Sequence, residues 1–247
     1  YCKPNFSNFI RPFKLDEDYP FRVGLMDLGS DEHVLFFDMH HIISDGISQN
    51  VLIEDFQYIY QGIELPKLGL QYKDYAEWQQ SDEQLETIGH HKTYWLDQFA
   101  QDLEVLDLPL DYMRPKVSSN KGGNFSFDLD TLETKKLRNM AQQEGVTTFM
   151  LLMSIYKVFL SKITNQEDIV VGTPTSGRNH PDLESIVGMF VNTLAIRSWP
   201  KGELKFNKFL TEIKETTLLA FDHQLYPYDE LVDELGVERD IARNPLF

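Results

Sequence analysis

Apolar residues in this chain recur with two different periods that alternate along the sequence, and that alternation constrains the fold more than any other feature. The stretch "EHVLFFDMHH", residues 32 to 41, reads as a strand. After Gly46, residues Leu52, Phe56, Ile59 and Tyr60 fall at the i, i+4, i+7, i+8 spacing of a helix face that Gly62 ends. A second helix is expected over "DEQLETIGHHKTYWLDQFA", with Leu85, Ile88, Trp95 and Phe99 on its packed face and His91 and Lys92 outside it. "NFSFDLD" alternates like a strand, and "TTFMLLMSIYKVFLSKI" presents Phe149, Leu152, Met153, Tyr156 and Leu160 as a helix stripe. "EDIVVGTP" and "VGMFVNTLAIRSW" read as two more strands, and Phe206, Phe209, Leu210, Ile213 and Thr217 mark a further helix. Strands interleaved with helices imply an α/β protein, without fixing its strand order. The stretch from Asp107 to Asn124 carries Pro, Ser, Gly and Lys and no period, so a boundary is expected near Arg114, giving parts 1–114 and 115–247.

At 247 residues, with 42% hydrophobic and 25% charged side chains, the chain is large enough to bury a real core, as one large or two ordinary domains. No uninterrupted apolar stretch approaches the roughly 18 residues of a membrane span, so no membrane is expected. The opening "YCKPNFSNF" has no Met, basic region or apolar run, which argues against a secretory signal and leads us to expect a fragment. The one cysteine, Cys2, excludes an internal disulfide framework and a cysteine zinc cluster, and fits a reducing cytoplasm. A net charge of −16 repels polyanions, and no Lys/Arg run supplies a basic face, so nucleic acid is not an expected partner.

The segment with the most chemistry is "FFDMHHIISDGIS", residues 36 to 48. If the strand continued through it, His40 and His41 would face opposite sides, so they would not share a metal ion, and no HExxH-like third ligand is nearby. Asp45-Gly46 would open the following helix, which is also what an ordinary N-cap does. The reading with chemistry places His41 at a strand end facing a cavity, where an imidazole takes or gives a proton near neutral pH. The other pair, His90-His91, lacks a following Asp-Gly and reads as helix surface. "GTPTSGRN" imitates a phosphate loop, but Arg178 and Asn179 replace its Lys and Ser/Thr and Pro174 removes a donor, so nucleotide binding is not expected.

"HHIISDG" resembles the HHxxxDG signature of condensation domains of nonribosomal peptide synthetases, a family that shares the chloramphenicol acetyltransferase fold. "YKDYAEW" at 72 to 78, "VGMFVNTLAIR" at 187 to 197, "HQLYPYDELV" at 223 to 232 and "RDIARNPLF" at 239 to 247 resemble that family's later motifs, in its order. The resemblance implies two α/β lobes in a V shape around an interlobe tunnel, here truncated at both ends, with HHIISDG in the first lobe and VGMFVNTLAIR in the second.

The resemblance also implies an activity: amide formation between a donor acyl or peptidyl thioester and an acceptor aminoacyl thioester. Both would be carried on the phosphopantetheine arms of peptidyl carrier proteins, with an adenylation domain as neighbour and no cofactor bound directly. His41 would be the catalytic residue, His40, Asp45 and Gly46 would support it, and Asn192 would line the substrate tunnel. The Gly46 N–H, at a helix start, would assist the developing oxyanion. Asp45 would be a structural ion-pair partner, with Arg114, Arg178, Arg197 or an arginine beyond this chain as its mate. The alternatives are an epimerisation domain, a noncatalytic domain of the same fold that recruits carrier-bound enzymes, and a hydroxyl acyltransferase using coenzyme A.

Overall fold

The structure, a computed structural model, describes residues 9–115, 122–237 and 242–247. Cys2 and the "RDI" that opens the last motif lie outside the described residues. Contacts group the chain into two compact units, Tyr1–Gln84 with Ser176–Val191, and Leu85–Thr175 with Asn192–Phe247. Strands and helices are mixed, as an α/β protein requires.

In the first unit, β1 (Phe21–Gly29) pairs antiparallel with β2 (Glu32–Met39), Phe21 opposite Met39 and Arg22 opposite Asp38. The strand expected through His41 stops at Met39, because the chain turns there into a short 3₁₀ helix over His41–Ile43. Two helices follow, α1 (Gly46–Tyr60) and α2 (Tyr72–Gln79). Of the expected packed stripe of α1, Phe56, Ile59 and Tyr60 are exposed and Leu52 is half-buried, and the buried residue of that helix is a serine, Ser48. In α2, Tyr75 joins Leu183, Ile186 and Phe190 in a small, partly aromatic core with Tyr72 against it, while Trp78 is exposed.

The second unit begins at Leu85, inside α3 (Asp82–Gln98), which sends Trp95 and, just beyond it, Phe99 into a core with Val170, Leu194, Ala195 and Ile196. That packing is why the division expected near Arg114 falls inside this unit. α4 (Thr131–Gln143) and α5 (Thr148–Thr164) lead to β3 (Ile169–Thr175), which pairs antiparallel with β4 (Asn192–Ser198). α6 (Phe206–Asp222) then packs Phe209, Leu210 and Ile213 onto α5 and its surroundings, and α7 (Tyr228–Glu234) adds Leu231 and Val232 to the main core.

Four expectations need correction in this unit. Leu85, expected on the packed face of α3, is exposed. "NFSFDLD" is in no strand among the described residues, and its alternation leaves Phe125 and Phe127 exposed. Of the expected α5 stripe, Phe149, Leu152 and Tyr156 are exposed, and the packed face runs instead through Met150, Leu151, Met153, Ser154, Lys157 and Leu160. The helix is apolar around most of its circumference, so period alone could not choose the face. His91 is half-buried: its Nδ1 lies 2.9 Å from that of His223, whose ring stacks on Tyr94. His90 is exposed.

Lys157 is 0% exposed, and its Nζ donates to the carbonyls of Ile169 (3.2 Å) and Ile196 (2.6 Å) and to Ser198 Oγ (3.0 Å). Burial pushes its ammonium down to about 7, against the pull of Asp168. A folded value below the unfolded one means that the unfolded chain holds more protons between pH about 7 and about 10.4. Stability from this site therefore rises with pH through that window and is lost as pH falls toward 7. Lys157→Met removes the titration. In urea unfolding from about pH 7.5 to 9.5, the wild type should gain on Lys157→Met by up to about 1.4 kcal/mol per pH unit; parallel profiles would contradict the buried, titrating lysine.

Candidate functional site

The turn that carries the two histidines is built from its flanks inward. Arg22 of β1 donates from Nη1 to Asp38 of β2 at 2.8 Å and to the Arg11 carbonyl at 2.7 Å, and its guanidinium lies 3.7 Å over the Phe13 ring. Phe13 meets the His40 ring edge-on at 6.0 Å. The His40 N–H still donates to Pro20 O at 2.9 Å, and its Nδ1 accepts from the Ile42 N–H at 3.1 Å. That side-chain bond caps the 3₁₀ turn and fixes the ring as the tautomer with its proton on Nε2. The next ring, His41, is exposed and has no hydrogen-bond partner among the described residues.

The far side of the turn is anchored by buried charge. Asp45 is the N-cap of α1, its Oδ1 accepting from the Ser48 N–H at 2.7 Å. Arg178 Nη2 donates to both Asp45 oxygens, at 3.0 and 3.2 Å, and the two side chains are 2% and 1% exposed. Arg178 Nη1 also donates to the carbonyls of Leu183 and Ile186 (2.7 Å), and its guanidinium stands 4.1 Å over Phe190. The Phe190 N–H completes the site, donating to Asp45 Oδ2 at 3.2 Å. Of the arginines considered from sequence, Arg178 is thus the partner; Arg197 pairs with Asp168 at 2.5 Å and Arg114 donates to the Ala242 carbonyl. Burial pushes the Asp45 carboxyl up, but the Ser48 N–H and hydroxyl, the Phe190 N–H and Arg178 outweigh it and hold it below its ordinary value.

These bonds explain why "VGMF" is not part of a strand, as its pattern suggested. Its backbone groups bond side chains instead: Gly188 N–H and C=O meet Ser48 Oγ, Met189 O accepts from the Tyr72 hydroxyl at 2.8 Å, and Phe190 N–H goes to Asp45. Burial, then the Asp45 charge, pushes the Tyr72 phenol up. The segment from Gly177 to Gly188 allows no added carbon at either end. A Cβ on Gly177, at φ +65°, would sit 1.8 Å from Phe190 O, and one on Gly188 would sit 2.0 Å from the Tyr72 ring. A Cβ on Gly46 would meet nothing within 4 Å, so neither packing nor φ demands glycine there.

Asn192, in the second unit, uses its amide internally. Its Nδ2 donates to Gln224 O (2.8 Å) and Tyr226 O (2.7 Å), and its Oδ1 accepts from the N–H groups of Thr193 (2.8 Å) and Tyr228 (3.2 Å). It fastens the "QLYPY" turn to the start of β4. Among the described residues no group of three or more His, Cys, Asp or Glu side chains is placed to hold a metal ion, and no single helix is long and apolar enough to cross a membrane. Ser48 was missed from sequence, although it closes the histidine-bearing segment, whereas Arg178 was one of the arginines considered for Asp45 and tertiary contact makes the choice.

Mixed helices and strands around a histidine-bearing turn, closed by a buried Asp-Arg pair, define an α/β protein of the HHxxxDG type. The condensation-domain family model matches residues 4–247. The chain is 50% identical over 241 residues to tyrocidine synthase 3 of Brevibacillus parabrevis, covering 98% of this chain and 4% of that protein. It is 48% identical over 241 residues to surfactin synthase subunit 1 of Bacillus subtilis, covering 98% and 7%. Among solved structures it resembles the X-domain in complex with OxyB from teicoplanin biosynthesis, with a TM-score of 0.86, 26% identity, and coverage of 96% of this chain and 55% of that one. It also resembles a four-domain nonribosomal peptide synthetase bound to AMP and glycine, with a TM-score of 0.83, 26% identity, and coverage of 96% and 18%. The chain belongs to the condensation-domain family of nonribosomal peptide synthetases, and it spans about a twentieth of the length of these curated relatives.

The two glycines of the site should respond oppositely to one methyl. Gly188→Ala, forced against Tyr72, is expected to cost about 1–3 kcal/mol in urea unfolding, whereas Gly46→Ala should stay within about 0.5 kcal/mol of wild type. A Gly188→Ala protein as stable as wild type would show that the 72–188 contact does not hold the site.

Proposed function

We propose that this chain serves amide-bond formation between two carrier-bound thioesters, the acceptor amine attacking the donor carbonyl beside His41. The observation that carries the reading is a contrast within one turn: Asp45 is buried and bonded to Ser48, Arg178 and Phe190, while the His41 ring is exposed with no hydrogen-bond partner among the described residues. A fixed scaffold that presents one unengaged imidazole suits a group that must meet a substrate. The uncharged amine is already a nucleophile, so His41 orients it or stabilises the charged tetrahedral intermediate, and held geometry supplies most of the rate. Effective molarities of about 10⁵ M or more exceed the roughly 10²- to 10⁴-fold expected from one acid/base group.

The other proposed roles follow. Asp45 with Arg178 keeps the turn in place, and His40 caps it. The Gly46 N–H, at the positive end of α1, faces the developing oxyanion. The open space where its Cβ would be makes room for the approaching thioester. Asn192 holds the 224–228 turn and acts on the substrate passage through it. The carrier proteins with their phosphopantetheine arms, and a neighbouring adenylation domain, are the partners this reading requires.

A recruiting role has one observation in its favour, the likeness to the X-domain bound to OxyB at 26% identity. The 50% identity to a peptide synthase and the intact His41, Asp45 and Gly46 favour catalysis. An epimerisation domain is disfavoured by the retained "VGMFVNT".

Assayed in the polypeptide that carries this chain, with loaded donor and acceptor carriers and products separated by mass, the expected product is the amide, and an epimerised donor, an ester or no product would each refute the reading. His41→Ala should lower amide formation by up to roughly 10²- to 10⁴-fold with carrier binding unchanged, while His90→Ala has no effect. Gly46→Ala should lose turnover while keeping its melting temperature, and full turnover in that variant would remove the oxyanion role.

A further inference from the structure

We propose that Ser48 is a positioning residue for this reaction: its hydroxyl ties the first turn of α1, and with it Gly46 and the His41 turn, to the backbone of Gly188. The inference rests on the condensation reading and concerns a residue outside the HHxxxDG signature. Ser48 is 0% exposed and is the buried residue of α1. Capping does not account for it, because the cap bond uses the Ser48 backbone N–H and would survive loss of the hydroxyl.

The hydroxyl is saturated. Arg178 Nη2 and the Gly188 N–H both donate to Ser48 Oγ, each at 3.0 Å, which fills its two lone pairs. Its single proton has two acceptors in reach, Asp45 Oδ1 at 2.7 Å and Gly188 O at 2.8 Å. One oxygen atom therefore meets the ion pair and both backbone polar groups of a residue 140 positions away. A methyl in its place leaves Asp45 and Arg178 paired but strands the buried Gly188 N–H, so the tie can be tested apart from the charge.

The consequence for rate comes from geometry. Misplacing a reacting group by about 1 Å costs on the order of 10²-fold, without weakening substrate binding made elsewhere. Ser48→Ala in the polypeptide that carries this chain is therefore expected to lower the kcat of amide formation about 10- to 100-fold, with KM for either loaded carrier within about twofold. In the same variant the Gly188 amide should exchange faster with deuterium, while the Ser48 and Phe190 amides, held by Asp45, stay protected. Ser48→Cys keeps the shape but puts a weak sulfur acceptor in place of the oxygen, so it should show the same kcat loss and decides the matter if the alanine variant does not fold. Wild-type kcat in either folded variant, or unchanged Gly188 exchange, overturns the proposal. If the wild-type protein forms no amide, the condensation reading fails instead, and Gly188 exchange still reports whether the tie exists.

Discussion

A carboxylate and a guanidinium with almost no contact with water, Asp45 and Arg178, are the constraint on which the first unit depends. Taking both charges out of water is costly, and the mutual attraction offsets that cost only where the remaining donors and acceptors are also satisfied. Here most of them are: the carboxylate accepts from Ser48 and Phe190, and the guanidinium donates to Leu183 and Ile186. Those added bonds turn a pair of charges into a junction between segments 133 residues apart in sequence. Satisfying the pair leaves the chain from Gly177 to Phe190 little freedom, which is why it admits no carbon at Gly177 or Gly188 and why its peptide groups leave the strand pattern.

The second unit uses the same device for another purpose. Arg197 on β4 pairs with Asp168 and donates to the carbonyls of Gln98, Gln101 and Asp102, closing the end of α3 and the loop beyond it. Lys157 does likewise for carbonyls of both strands. In each case a nitrogen donor on a long apolar stem is drawn into the core by backbone oxygens. Residues that look like surface charge in the sequence thus fix the ends of helices and strands.

Much was legible beforehand. The strand at 169, the α6 face, α3 with Trp95 and Phe99, and the capped helix after Asp45 followed from period and capping chemistry. What failed did so for physical reasons. Period cannot choose a face on a helix as apolar as α5, and it cannot tell a strand from a segment such as 124–130, which alternates but pairs with no strand among the described residues. His91 looked like surface until His223, far along the chain, came beside it. Nor could a single sequence choose Arg178 over Arg197, since both sit in motif-like stretches and only tertiary contact tells them apart.

The central claim is that Asp45 and Arg178 act as one unit and not as two separately useful residues. A double-mutant cycle on Asp45→Asn and Arg178→Gln, read by urea unfolding, tests it most directly. The account predicts that the two losses are strongly non-additive, with a coupling energy of about 1–3 kcal/mol, the double variant being hardly worse than either single one. Losses that add to within about 0.5 kcal/mol would mean that the two side chains contribute independently, and the junction described here would not exist.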